Sequence, residues 1–290
     1  MRNDERRAGR LAALIALSLT LATGCTGGTS HRSSDASRAA SRSAGPTEAA
    51  ATPSPPPPPP RDACYRLSPD QLTRPWNDST AVPCTSRHTA RTIYVGHLGT
   101  AGQGRGVAMG SDAVRRRLAR TCPSRLASYL GGSTRTRHLS RFNVVWFSPT
   151  PAQSEQGAAW FRCDVIAFAR ADSLLELPTR ASRPLKGVLD RAAALDTYGL
   201  CGTAAPGSRG FQRVACAKRH SWKAVDTIAL SGGKAYPGVR VVRKAGDARC
   251  KAEGRARAAD SLRFRYGWEW PTRTQWSTGQ HFGYCWVPQS

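Results

Sequence analysis

Two copies of a Cys-x-x-x-His string are the part of this chain best suited to chemistry. The first joins Cys84 to His88, and the second joins Cys216 to His220. A thiolate and an imidazole at this separation can bind zinc, whereas an oxidised cysteine forms a disulfide and leaves the histidine without a metal. Whether these cysteines bind a metal or form disulfides depends on the other cysteines near each string and on the compartment in which the chain folds.

Eight of the nine cysteines fall into two matching sets of four. Each set surrounds the sequence V-x-C-x-x-R-H, with one cysteine before it and two after it. The sets are Cys64, Cys84, Cys122 and Cys163, and then Cys201, Cys216, Cys250 and Cys285. Trp146, Pro149, Gly157 and Cys163 also have the same mutual spacing as Trp268, Pro271, Gly279 and Cys285. These repeats predict two diverged copies of one small domain, residues 62–170 and 197–290, joined by a connector at 171–196.

The ninth cysteine, Cys25, belongs to a different signal. Residues 1–10 carry four arginines, residues 11–22 are apolar, and small residues precede Cys25. This pattern is typical of a lipoprotein signal peptide, residues 1–24, with lipid attached to Cys25 after cleavage. The apolar run of about 12 residues is shorter than the ~20 that a membrane-spanning helix needs. We therefore predict a lipid anchor on the extracytoplasmic face of the cell membrane.

Export favours disulfides over metal. An even set of cysteines in a small exported domain normally pairs completely, and four cysteines allow three connectivities in each copy. We favour Cys64–Cys84, Cys122–Cys163, Cys201–Cys216 and Cys250–Cys285. Complete pairing leaves no thiolate for zinc, so we predict neither a metal site nor a cofactor.

The histidines and the arginines before them then have two open interpretations. His88 and His220 are expected to fix the turn after the cysteine through a hydrogen bond. A binding role for His88 and His220, together with Arg87 and Arg219, is the alternative.

Residues 25–61 have the composition of a disordered tether. They are rich in Gly, Ser, Thr, Ala and Arg and end in the run Pro55 to Pro60. Such a stretch cannot bury enough apolar surface to fold, and its polyproline end should form a rod of about 19 Å at ~3.1 Å per residue.

Basic residues dominate the charge. The formal net charge is +24, and removal of residues 1–24, with four arginines and two acidic residues, leaves +22. This excess would attract anionic lipids or anionic wall polymers, although an arginine-rich genome composition explains it equally well. Nucleic acid is not an expected partner outside the cell.

Hydrophobic patterns predict α+β architecture, with a few antiparallel strands and one main helix in each copy. The predicted strands are 92–98, 141–147 and 159–168 in the first copy, and 225–230, 262–270 and 281–287 in the second. The predicted helices are 111–130, with an apolar stripe at every fourth residue, and 244–259. Gly102, Gly104 and Gly106 resemble a dinucleotide fingerprint, but their spacing indicates a turn.

At these elements the chain resembles the actinobacterial septum-formation domain family. The resemblance rests on the ordered cysteines, the Cys-x-x-x-His strings and the Pro149, Gly157 and Cys163 spacing, and it covers most of 62–170 and 197–288. It implies a membrane-attached envelope protein linked to septum formation, without implying a biochemical activity. Arg87 and Arg219 stand where the family usually has proline.

No catalytic motif supports an enzyme. The strings G-x-S-x-G and H-E-x-x-H do not occur. A carboxylate pair of the hydrolase type would have to come from Asp112, Glu155, Asp164 or the connector. The aromatic residues of the C-terminal segment form either a core or a glycan-binding face; they are Trp268, Trp270, Trp276, Tyr284 and Trp286.

We therefore predict a non-enzymatic binding or scaffold module in the cell envelope. Its expected partner is an envelope protein or an anionic wall polymer, and the sequence gives no oligomeric state. A basic membrane-surface binder and an envelope hydrolase are the alternatives.

Overall fold

The computed structural model of the chain describes residues 54–99, 111–180, 184–191 and 193–289. Cys25, the first part of the predicted tether and the three glycines at 102, 104 and 106 lie outside the described residues. From Thr52 to Ser290 the chain forms one compact unit. It contains two antiparallel sheets, one in the N-terminal half (residues 62–170) and one in the C-terminal half (residues 197–290).

The described residues of the N-terminal half form four strands and three α-helices. They are β1 (Cys64–Tyr65), β2 (Ala90–His97), α1 (Asp112–Leu130), α2 (Thr134–His138), β3 (Phe142–Phe147), α3 (Pro151–Glu155) and β4 (Trp160–Ala167). The strand order is β1-β2-β4-β3. Every residue of β4 is buried, because this strand has a neighbour on each side and both faces of the sheet are covered.

The C-terminal half has five strands, and a short helix precedes it. The elements are α4 (Ala194–Tyr198), β5 (Leu200–Gly202), β6 (Arg213–Ala215), β7 (Trp222–Ala229), α5 (Val239–Ala245), α6 (Asp247–Arg257), β8 (Gly267–Glu269), α7 (Arg273–Ser277) and β9 (Phe282–Pro288). The strand order is β6-β5-β7-β9-β8. The predicted α+β class is confirmed.

The two sheets correspond closely. The last strand lies between its two predecessors in both, since β4 separates β2 from β3 and β9 separates β7 from β8. Each long pairing contains one β-bulge, directly before the residue that pairs with the last cysteine, at Tyr94 and at Asp226. Duplication of one ancestral domain, inferred above from the cysteine spacing, predicts this correspondence.

Helix α1 follows the predicted stripe. Ser111 caps it by accepting a hydrogen bond from the backbone N–H of Val114. Val114, Leu118, Cys122 and Leu130 are buried against the sheet. Pro123 lies inside the helix, which continues to Leu130 and ends at Gly131, whose φ of +71° favours glycine.

The structure contains four disulfides among its described residues, and they join the pairs favoured from the sequence. Cys64–Cys84 and Cys201–Cys216 tie β1 and β5, the first strand of each half, to the turn that carries the V-x-C-x-x-R-H sequence. Cys122–Cys163 and Cys250–Cys285 tie a helix to an interior strand. No bridge crosses between the described parts of the two halves.

Two predicted elements of the C-terminal half were wrong in extent. The helix predicted at 244–259 is interrupted at Gly246, where a Cβ atom would lie 2.5 Å from the Trp268 ring. The strand predicted at 262–270 is confined to Gly267–Glu269, the three residues that pair with β9. Leu262 is instead 91% exposed in a basic loop.

The predicted connector, 171–196, is part of the core rather than a simple link. Its buried side chains pack in one cluster with residues of both halves; they are Leu175, Leu177, Leu185, Val188, Leu189 and Ala194. The cluster includes Leu130 and Val165 from the N-terminal half and Ala215 from the C-terminal half. The halves therefore share apolar interior.

Direct contacts also join the halves. The Arg135 guanidinium lies 2.5 Å from the buried carboxylate of Asp226. The His138 ring stacks on Phe282 with a centroid separation of 3.7 Å. Leu200 donates its backbone N–H to the carbonyl of Leu139 at 2.7 Å.

The disulfides provide a test of this fold. Replacing Cys122 and Cys163 together by Ala should lower the free energy of unfolding by about 4 kcal/mol, and replacing Cys201 and Cys216 should lower it by about 3 kcal/mol, because the closed loops differ in length. These loops span 41 and 15 residues. Denaturant unfolding measures both values. Peptide mapping without reductant that found a bridge between the halves would contradict the pairing.

Candidate functional site

A cleft beside Arg87 is the candidate site that contains a residue singled out in the sequence. Its volume is about 630 Å³. The turn after Cys84, the segment 176–180 and α4 form its walls. Leu177, Val188 and Ala194 supply apolar surface at its base.

Three arginines and one carboxylate line the cleft. Arg87 pairs with Glu176 at 2.6 Å, and both side chains are at least half exposed. Arg191 donates to the carbonyl of Pro184 at 2.9 Å. Arg180 has no hydrogen-bond or ion-pair partner among the described residues. An anionic group entering the cleft would meet Arg180 directly and could compete with Glu176 for Arg87.

His88 positions one wall of this cleft. It is 1% exposed, and its Nδ1 donates to the carbonyl of Ser86 at 2.8 Å. Its own carbonyl accepts from the backbone N–H of Leu177 at 2.9 Å. The buried imidazole therefore fixes the turn, and the backbone carbonyl of His88 holds the 176–180 segment.

The corresponding turn of the C-terminal half has the same local geometry. His220 donates from Nδ1 to the carbonyl of Lys218 at 2.7 Å. Arg219 is exposed and His220 is partly exposed. None of the described cavities is lined by Arg219 or His220.

The three carboxylates considered for hydrolysis outside the connector are not brought together as an acid and base pair. Asp112 is exposed and forms an ion pair with Arg115, one turn along α1. Glu155 is exposed at the end of α3. Asp164 is fully buried in β4. A glycosidase needs two carboxylates facing one bond, and these three occupy different surroundings.

Asp164 belongs to a buried polar network. It accepts a hydrogen bond from Thr92 Oγ1 at 2.8 Å. The Arg162 Nε lies 3.0 Å from its other oxygen, within ion-pair distance but without the alignment of a hydrogen bond. Arg162 also donates to Asn77 at 2.9 Å and lies over the Tyr65 ring at 3.8 Å. Burial raises the pKa of Asp164 to about 6, although Arg162 and Thr92 oppose the shift.

The C-terminal aromatic residues form core rather than a glycan-binding face. Trp268, Trp276, Tyr284 and Trp286 are buried. Trp286 donates its indole N–H to Glu269 at 3.0 Å, and Trp268 donates to the carbonyl of Val242 at 3.1 Å. Their polar atoms are therefore satisfied inside the protein, and Trp270 packs partly buried against the same core.

The arginines of α1 have different roles. Arg115, Arg116, Arg117 and Arg120 are exposed, as their place on the polar side of the helix predicts. Arg117, however, donates to the carbonyls of His97 and Leu98 at 2.9 and 3.0 Å. It fastens the helix to the end of β2, so it contributes to structure as well as to charge.

Among the described residues, no group of three or more metal-ligating side chains comes together. None of their helices is long and apolar enough to cross a membrane.

The raised pKa of Asp164 predicts a distinctive pH dependence. Between pH 3.8 and about 6, the native carboxyl binds a proton that the unfolded chain releases, so its stabilising contribution is present below this range and is lost as the pH rises through 6. Asp164→Asn cannot titrate. The difference in unfolding free energy between the two proteins should therefore change by up to about 3 kcal/mol from pH 4 to pH 7, to the relative advantage of the variant at high pH. Parallel stability curves would contradict the assigned shift.

Comparison with known families places this geometry in context. The family described as "Septum formation" matches residues 63–285. The matched region runs through both halves and includes the eight paired cysteines and the arginine cleft. Comparison with curated proteins and with solved structures found no significant match. Because the match spans most of the chain and both disulfide-bonded sheets, this protein belongs to the septum-formation family.

Proposed function

We propose that this protein is a non-enzymatic binding module of the cell envelope that takes part in septum formation. In this proposal, a lipid on Cys25 anchors it to the outer face of the cell membrane. Its arginine cleft receives an anionic group of an envelope ligand, with an anionic wall polymer as the first candidate and an acidic segment of an envelope protein as the second.

The arginine cleft is the observation that carries the proposal. It combines an uncompensated cation, Arg180, with a cation that is held by an exposed glutamate, Arg87. Phosphate and carboxylate groups are recognised by arginine through paired, charge-assisted hydrogen bonds. The rigid turn fixed by His88 holds Arg87 in place, which lowers the entropy lost on binding.

A diffuse surface attraction is the second candidate, and the exposed arginines of α1 favour it. Arg116 and Arg120 have no hydrogen-bond or ion-pair partner among the described residues and lie on one helix, remote in sequence from the cleft. Long-range attraction depends on total charge rather than on a particular arginine. The two candidates therefore respond differently when equal charge is removed from different places.

The anchor can be tested in cells. Cys25→Ser should release the protein from the membrane fraction or leave it unprocessed, because the thiol that accepts the lipid is gone. Fractionation and intact-mass measurement give both results. Unchanged size together with unchanged membrane retention would show that Cys25 is not the anchor.

The cleft can be tested with two matched double variants of the mature chain. Arg87→Gln with Arg180→Gln should weaken binding to a purified anionic wall polymer by about tenfold or more, because charge-assisted hydrogen bonds are lost. Arg116→Gln with Arg120→Gln removes the same charge elsewhere and should change affinity less than about twofold at 150 mM salt, where the Debye length is about 8 Å.

Equal weakening by the two double variants would instead support diffuse attraction. No binding by the unchanged protein even at low salt would turn the search toward a protein partner. Circular dichroism of each variant confirms that the fold is intact.

A further inference from the structure

The polyproline run does not project away from the N-terminal half but lies on it. Pro56 and Pro59 are half-buried, whereas Pro55, Pro57, Pro58 and Pro60 are exposed. A polyproline II helix has three residues per turn. Pro56 and Pro59, three residues apart, lie on the same edge of such a helix, and this edge faces the protein.

A cavity of about 330 Å³ remains between the run and this half. Pro57, Pro59 and Pro60 line one side of it, and the groove opposite them is formed by residues that include Tyr65, Asn77, Thr150, Gln153 and Trp160. Arg162 stiffens its floor, because the guanidinium lies over the Tyr65 ring at 3.8 Å and over Phe147 at 5.0 Å. Aromatic-lined grooves are a common way to bind proline-rich segments.

The contact between the run and the groove is apolar. A proline run has carbonyl acceptors but no backbone N–H donors. Trp160 is 5% exposed, and its indole N–H has no hydrogen-bond partner among the described residues, which include Pro55 to Pro60. The run therefore lies beside this ring without bonding to its N–H.

One glycine gives a matched comparison between the halves. Gly157 (φ +89°) and Gly279 (φ +95°) occupy the same turn after α3 and α7. A Cβ atom at Gly157 would lie 3.2 Å from Cγ of Pro55, whereas one at Gly279 would meet nothing within 4 Å. Of these two turns, only the turn at Gly157 is covered by the run.

Phe282 is the residue of the second sheet that corresponds to Trp160, and its ring is covered differently. Phe282 pairs with Ala229 as Trp160 pairs with His97 in the first sheet. His138 of the N-terminal half stacks on Phe282, with an interplanar angle of 3°. The second sheet therefore uses the other half as a cover at this position, and the first sheet uses the proline run.

We infer that this groove, lined by Tyr65, Asn77, Gln153 and Trp160, is a polyproline-binding site whose resident ligand is the chain's own Pro55–Pro60. The bound run fixes where the tether leaves the folded unit and keeps the groove from other proline-rich segments. The inference is independent of the arginine cleft.

A variant with an empty groove tests the site. In the mature chain with Cys25→Ser, Pro55 to Pro60 are replaced by alternating Gly and Ser, and the probe is a capped synthetic peptide of residues 54–61. Calorimetry should detect binding to this variant. The chain with the intact run should bind the peptide at least about tenfold more weakly, because a tethered ligand competes at an effective concentration near the millimolar range.

The indole resonance of Trp160 gives a readout independent of affinity. Its Nε1–H signal should shift between the intact and the Gly/Ser chains and should return toward its original position when the peptide is added. Trp160→Phe identifies the signal and, in the Gly/Ser chain, should weaken peptide binding while keeping a ring in the core.

The two glycines supply the matched control. In the Gly/Ser chain, Gly157→Ala should weaken peptide binding by severalfold, whereas Gly279→Ala imposes similar backbone strain in open space and should leave it unchanged. Absence of peptide binding to the Gly/Ser chain at millimolar concentration, together with an unchanged Trp160 indole resonance, would overturn the inference. If Gly157→Ala and Gly279→Ala weakened peptide binding equally, the inferred contact between the run and the groove would be wrong.

Discussion

Each of the two sheets has two faces, and the fold depends on covering both. Side chains alternate along a strand, so Cys163 faces α1 while Arg162 and Asp164 face the opposite side. A disulfide fastens the helix to the first face, and the second face needs a separate cover. The two halves cover this second face differently. In the N-terminal half, a buried ion pair lies there under the polyproline run. In the C-terminal half, aromatic side chains pack there against the N-terminal half.

Much of the local architecture could be predicted from the sequence because it depends on short-range rules. The every-fourth-residue stripe specifies the buried side of α1, and the two equal cysteine sets restrict pairing to a few choices. The extent of the strand predicted at 262–270 depends on a partner strand, which alternation alone does not reveal. The break at Gly246 depends on the approach of Trp268, a contact from a distant part of the chain.

The candidate site was only partly predictable for the same reason. Arg87 stands out because it repeats in sequence, but Arg180 and Arg191 have no motif, and they join it only through the fold of the connector. The connector itself looked like a link because its apolar residues follow no regular period. Its leucines pack individually into the interior shared by both halves. Burial of Asp164 was equally hidden, since a single aspartate in a strand does not reveal the arginine beside it.

The interior position of β4 and β9 has a consequence for how the chain matures. A polypeptide is made from its N-terminus, yet each of these interior strands follows both of its neighbours in sequence. Cys64–Cys84 and Cys201–Cys216 can close once short loops of 20 and 15 residues are complete. Cys122 and Cys250 are synthesised before Cys163 and Cys285, their partners, which are the last cysteines of each half. Correct oxidation therefore requires either that these helical thiols stay reduced until the interior strand arrives, or that early mispaired bridges are exchanged.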